Sequence, residues 1–287
     1  MKSYIKVLLI VIGLLFITGC NFAGNSFSES VFHPVTQTPT PELTFTPKPT
    51  TIPEVTDVPE VTDAPEITDV PEVTPSPTPS ENRKALYLTF DDGPSETLTE
   101  PLLAILDKYQ VKATFFVRGK EFPDMIKKIH EAGHTIGLHS VSHYYPMVYA
   151  SEEAFFGEMF ELQDFIYDCI GIRPTLIRFP GGSSNSETMF NPGIMTRLTK
   201  MVKEKGLEYF DWNASTEDSW TEDPQVMLEN AKMFADSSKY ILLLHHPESK
   251  QSSLDAVELL IQWGIENNYE FKVLTPDSPK AHHILSN

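Results

Sequence analysis

The sequence predicts a mainly parallel α/β domain, either an open sheet or a barrel, over residues 83–287, preceded by an export leader and a long spacer. Two observations carry the fold class. Seven apolar, strand-like runs alternate with six amphipathic helical patterns, the order that crossover helices impose on parallel strands. Acids, imidazoles, an arginine and glycines collect just after those runs, where sheets and barrels of this class place their ligand sites.

The first twenty residues, "MKSYIKVLLIVIGLLFITGC", combine Lys2 and Lys6 with an eleven-residue apolar run over residues 7–17 and a small-residue end. That pattern is an export signal, too short to span a bilayer. Its last four residues, "ITGC", resemble a lipobox, whose cysteine becomes the first residue of the mature chain and carries lipid. Cys20 is therefore the expected lipidation site, and the protein is expected to be exported and anchored to the outer face of the cell membrane.

Residues 21–82 read as a linker. Twelve of the 23 prolines fall in residues 34–80, and a hexapeptide recurs as "PEVTDV", "PEVTDA", "PEITDV" and a truncated "PEVTPS". A proline every six residues is incompatible with a helix or a central strand, and the repeat lacks the large apolar side chains that would bury a core. A Pro-rich chain of this length reaches about 100 to 190 Å, enough to carry a tethered domain into a thick wall.

From residue 83 the strand candidates are "ALYLTF", "ATFFV", "TIGL", "TLIRF", "EYFDWN", "YILLLH" and "EFKVL". Helical patterns begin near Thr97, Glu121, Ser151, Pro192, Pro224 and Ser252. Cys169 falls inside one of them and reads as a small core residue, so the domain has no internal disulfide and depends on apolar burial. The chain carries −18 overall, and thirty acids against nineteen bases leave the domain at −11. Such a balance argues against nucleic acid as a partner and suits a neutral or cationic ligand.

The strand ends hold the chemistry. After "ALYLT" come Asp91, Asp92 and Gly93; after "TIGL", "HSVSH"; after "TLI", "RFPGG"; after "YFDWN", "STEDSW"; after "YILLL", His245 and His246. His139 and His143 have the spacing that puts two imidazoles on one face of a helical turn, and a carboxylate from Asp91 or Asp92 would complete an open metal site. A divalent cation there acidifies water and polarises a carbonyl, which makes metal-assisted hydrolysis the leading reaction class. The acid not used as ligand is free to act as a base, and Arg178, at the end of a buried-looking strand, needs an acidic partner. Gly181 and Gly182 let the backbone approach a ligand, and His245 is placed to act as a general acid.

In this order, "TFDDG", "HSVSH", "RFPGG", "DWNASTED" and "LLLHH" resemble the five motifs of polysaccharide deacetylases, the NodB-type domain of carbohydrate esterase family 4, over residues 84–285. The resemblance implies a distorted (β/α) barrel of seven or eight strands and one divalent metal, commonly zinc. It implies Asp92, His139 and His143 as metal ligands, Asp91 as general base oriented by Arg178, and Asp218 holding Arg178. Pro180, Gly181 and Gly182 would line the site, with the Gly181 amide in the oxyanion hole. Leu243 and Trp212 or Trp220 would shape the pocket for the acetyl methyl, and His245 would protonate the departing amine.

The text around the motifs looks most like the bacterial branch acting on peptidoglycan. The expected partner is thus a cell-wall glycan, peptidoglycan or a chitin-like oligosaccharide, met by a monomer. An O-acetyl esterase on xylan and a glycan-binding lipoprotein without turnover are the alternatives. Two departures from the motifs stand out: Ser219 separates Asp218 from Trp220, and His246 replaces an Asp expected beside the catalytic imidazole.

Overall fold

The computed structural model describes residues 84–235, 240–246 and 251–286; the leader, Cys20 and the spacer over residues 21–82 lie outside the described residues. The chain runs β1 (Lys84–Asp91), α1 (Thr99–Lys108), β2 (Thr114–Val117), α2 (Pro123–Glu131), β3 (Thr135–Leu138), the single-turn α3 (Tyr145–Val148) and α4 (Glu152–Ile170). It continues through β4 (Leu176–Ile177), α5 (Ile194–Glu204), β5 (Glu208–Tyr209), β6 (Ala214–Ser215), α6 (Pro224–Lys232), β7 (Tyr240–His245), α7 (Gln251–Glu266) and β8 (Tyr269–Phe271). All seven expected strands and all six expected helices are present. The additions are α3, a 3₁₀ turn over Ser186–Thr188 and the two-residue β6.

Local chemistry accounts for the helix boundaries. Ser151 caps α4, its Oγ accepting from the Ala154 N–H at 3.1 Å, with Glu152 and Glu153 in the first turn, and Gly171 ends the helix at φ 72°. Asp223 caps α6 in the same way, ahead of Pro224 in the first turn.

Among the described residues every strand pair is parallel, in the order β5-β4-β3-β2-β1-β7-β6, with β8 beside the start of β1. The sheet curls into a barrel that strand pairing leaves open between β5 and β6. Residues 210–213 join those two strands directly, and the C-terminal segment covers the seam. There Ala281 O accepts from Asp211 N–H at 2.9 Å, Lys280 lies over the Phe210 ring, and His282 stacks on Tyr209 at 3.9 Å.

Period-two alternation sorts the side chains. On β1, Leu86, Leu88 and Phe90 join the large core under the helices, whereas Tyr87 joins a small interior cluster with Phe116, Leu176, Phe210 and Ile241. Thr89 and Asp91 follow Tyr87 on the interior face, so the apolar plug at the barrel floor gives way to polar groups at the carboxyl ends of the strands. Cys169 is half-buried against the large core and is a free thiol.

Candidate active site

Asp91, the last residue of β1, points into the barrel and is 2% exposed. Its Oδ1 accepts from Arg178 Nη1 at 2.8 Å. Arg178 is fully buried, and the strand ends around it take four of its five N–H donors: Nη1 also reaches Thr89 Oγ1 at 2.8 Å, Nε the Phe210 carbonyl at 3.0 Å and Nη2 the Asp211 carbonyl at 3.2 Å. The Phe116 ring lies 4.3 Å beneath the guanidinium. A charge this deep is tolerable only with a counter-charge and hydrogen-bond acceptors of this kind.

Asp92 follows at φ 72°, a left-handed conformation that an aspartate accepts more readily than most residues, and this turns its carboxylate away from that of Asp91 toward His139 and His143. Its Oδ1 lies 3.4 Å from His143 Nε2, 3.9 Å from His139 Nε2 and 3.3 Å from Arg118 Nε. It is buried and accepts no hydrogen bond among the described residues. Burial raises the Asp92 pKa, but the nearby His139, His143, His245 and Arg118 outweigh it and hold the carboxyl below the usual range.

His139 Nδ1 is 2.8 Å from the Arg178 carbonyl. A carbonyl only accepts, so Nδ1 carries a proton and Nε2 is the nitrogen turned to the site. Burial, with His139 alongside, pushes the His143 pKa down to about 4, leaving a neutral imidazole. One ligand atom from each of Asp92, His139 and His143 falls within 4.8 Å of the others. An orphaned carboxylate oxygen and two imidazole nitrogens fit a divalent cation, with positions left open for water and substrate.

The two histidines do not share a helical turn. Residues 139–143 form a loop in which Ser140 and His143 have φ of 79° and 54°. A buried carboxylate on α4 fixes that loop: Glu158 accepts from the N–H groups of Val141 and Ser142, at 3.1 and 2.9 Å, and from the Ser142 hydroxyl. Sequence spacing carries the proximity of the histidines but not this clamp, which depends on a contact sixteen residues away.

His245 ends β7 directly beside Asp91 in the β1–β7 register. Its Nδ1 is 2.9 Å from Asp218 Oδ1, its N–H donates to Asp218 Oδ2 at 2.8 Å, and Ser253 Oγ donates to the same oxygen at 3.0 Å. The expected Asp218–Arg178 pairing is therefore corrected. Arg178 takes its carboxylate from Asp91 and its remaining acceptors from Thr89 and the backbone, while Asp218, fully buried, serves His245. Burial lowers the His245 pKa, but the Asp218 hydrogen bond and charge, with Asp91 and Asp92, push it up to about 9.

His246 does not stand beside the catalytic imidazole. One position further along the chain, its side chain emerges on the opposite face, between α1 and α7, near the rings of Phe90 and Phe115 and 3.4 Å from Thr99 Oγ1. Burial pushes its pKa down to about 4.

Pro180, Gly181 and Gly182 turn at the mouth. Both glycines have positive φ, and a Cβ at Gly182 would come 2.9 Å from Trp212. The Gly181 N–H makes no hydrogen bond among the described residues. Asp211, missed by sequence reasoning, anchors this turn: its carboxylate accepts from Ser183 N–H at 2.7 Å, from the Ser183 hydroxyl and from His283 N–H at 2.9 Å. Leu243 faces inward two residues before His245, and Trp212 is half-buried, 5.6 Å from the Arg178 guanidinium. Trp220 is 87% exposed, so it does not wall an enclosed methyl pocket. Ser219, which precedes it, is also exposed, with Oγ 3.2 Å from His245 Nδ1.

Comparison with known proteins agrees with this geometry. Residues 78–192 match the model of the family described as polysaccharide deacetylase. A peptidoglycan-N-acetylglucosamine deacetylase of Bacillus cereus is 34% identical over 210 residues, covering 69% of this chain and 72% of its own length. The catalytic domain of a peptidoglycan N-acetylglucosamine deacetylase from Eubacterium rectale superposes with a TM-score of 0.68 at 41% identity, over 72% of this chain and 96% of that one. The polysaccharide deacetylase Bc1974 from Bacillus cereus superposes with a TM-score of 0.61 at 33% identity, over 70% and 96%. With its curled parallel sheet and its acids and histidines at the strand ends, the chain belongs to the polysaccharide deacetylases, the NodB-type hydrolases of carbohydrate esterase family 4.

Proposed function

We propose that the protein is a metal-dependent N-deacetylase of cell-wall glycan, acting on N-acetylhexosamine residues of peptidoglycan and releasing acetate. The observation that carries this is the pair of separately partnered acid–base groups facing one another across β1 and β7. Asp91 is paired with Arg178, and His245 with Asp218, next to the Asp92–His139–His143 cluster. One group is set to accept a proton and the other to give one, as amide hydrolysis requires. The names of the relatives support peptidoglycan as the glycan.

Asp92, His139 and His143 would hold the cation, zinc being the expected one; when bound, it supplies Lewis acidity toward the acetyl carbonyl and acidifies water. Asp91 takes the proton from the attacking water. The Gly181 amide donates to the carbonyl oxygen as negative charge builds on it. His245, a cation at neutral pH, protonates the amine as the C–N bond breaks, leaving acetate and a free amino sugar.

The measurement is acetate release from purified peptidoglycan, with the muropeptides analysed by mass spectrometry for loss of an acetyl group. Activity is expected to vanish on full chelation and to return with zinc. Acetate release from metal-free protein would sink the mechanism. An acetylxylan arm separates N- from O-deacetylation.

The same reading places the protein outside the cell, held to the membrane by lipid on Cys20, with residues 21–82 as its tether into the wall. Labelled palmitate is expected to enter the wild-type protein and not Cys20→Ser; equal labelling of both would remove the anchor.

A further inference from the structure

Around Gly181 two side-chain polar groups crowd a space that only a glycine leaves open. A Cβ there would lie 2.9 Å from Asn185 Nδ2 and 3.0 Å from the Tyr145 hydroxyl, and the residue sits at φ 76°. Asn185 Nδ2 is committed to the Pro180 carbonyl at 3.0 Å, and the neighbouring Tyr149 hydroxyl donates to the same carbonyl at 2.7 Å. The Tyr145 hydroxyl, unlike the Asn185 amide and the Tyr149 hydroxyl, has no hydrogen-bond partner among the described residues. Its oxygen is not among the buried unpaired atoms, so it is open to solvent and to a ligand entering the site.

Its position explains what it is free for. Tyr145 opens α3 two residues after His143, and the two rings are 5.4 Å apart, so the phenol lies close both to a metal-ligand imidazole and to Gly181. The Tyr149 ring, 6.1 Å away, backs it on the protein side. We propose that Tyr145 is a catalytic residue: its hydroxyl donates, alongside the Gly181 N–H, to the acetyl carbonyl oxygen as that oxygen becomes negative. The phenol keeps its proton throughout and only the hydrogen bond strengthens. Two neutral donors converging on one oxygen make a preorganised oxyanion hole, and the absence of a side chain at 181 is what lets the second donor reach it. This assignment rests on the deacetylase reading of the site.

Tyr145→Phe tests it, because the ring remains and no internal hydrogen bond is lost. Removal of one oxyanion donor costs about 10²- to 10³-fold in kcat. The expected result is a fall of that order with KM nearly unchanged, and with thermal unfolding and zinc affinity, measured by competition with a chelating dye, as in wild type. Unchanged kcat overturns the proposal, and so does a matching loss of zinc affinity, which would make Tyr145 a support for His143 rather than a donor to substrate. Titration of zinc-loaded protein with acetate separates this from the deacetylase reading itself. If wild type releases no acetate from any glycan, that reading fails. Tyr145 then stands as an anion donor only if wild type binds acetate more tightly than Tyr145→Phe, and equal or absent binding removes it.

Discussion

Asp91→Asn is expected to lower kcat by about 10²- to 10⁴-fold, the usual contribution of a positioned base, while leaving zinc binding intact. The substitution keeps the shape of the side chain and an oxygen to accept from Arg178 Nη1, but it can no longer take a proton from water. It also leaves the fully buried Arg178 guanidinium without a counter-charge. Breaking a buried pair from one side costs about 3–5 kcal/mol, which for a domain of this size lowers Tm by on the order of 10 °C. Rate and stability are therefore expected to fall together. Asp92→Asn separates the two carboxylates, because Asp92 lacks the buried arginine and faces the histidines. Its activity loss is expected to follow weakened zinc affinity, with little change in the Tm of the metal-free protein. Wild-type kcat in Asp91→Asn, measured at saturating zinc on folded protein, would mean that the base lies elsewhere.

The division between Asp91 and Asp92 is legible in the sequence only through the motif resemblance, since two adjacent carboxylates after a strand do not declare their roles. Alternation along β1 supplies the physical reason. Asp91 keeps the inward phase of Tyr87 and Thr89, whereas the left-handed turn at Asp92 breaks that phase and swings the next carboxylate toward His139 and His143. The same alternation, applied to "YILLLHH", separates His245 from His246 onto opposite faces, although the motif resemblance sets residue 246 beside the catalytic imidazole.

What stays hidden is of another kind. The two-residue β6 has no periodicity to detect, and the histidine loop has helical spacing without a helix. Glu158 and Asp211, which hold the catalytic loops, are ordinary acids in sequence and acquire roles only when residues sixteen to seventy-two positions away meet them. The strand ends can be read off the sequence; which acid meets which base depends on register and curl.

That last dependence sets the outcome at His245. His245→Ala is expected to lower kcat by about 10²- to 10⁴-fold on the amide substrate, because an amine leaves poorly without a proton. Asp218→Asn tests how the acid is kept charged. The folded-state pKa of His245 is raised to about 9, above the usual His value of about 6.5, so the imidazolium is the form that the fold stabilises. An acid must be protonated to work, so wild-type kcat is expected to fall on the alkaline side as His245 loses its proton; a cation held by Asp92 moves that limb below 9. Removing the Asp218 charge moves the limb further toward neutral pH.

Stability follows the same sign. A raised pKa adds stability that is complete below about pH 6.5 and is lost as pH rises through about 9, so Asp218→Asn is expected to lower Tm most near pH 6 and least above 9. His246→Asp supplies the contrast. It sets a carboxylate among Phe90, Leu254 and Val257, on the far face of the sheet, so Tm is expected to drop while kcat of the folded protein and its alkaline limb stay where they were. An alkaline limb displaced by His246→Asp and unmoved by Asp218→Asn would transfer control of the acid to the other histidine and overturn the assignment of Asp218.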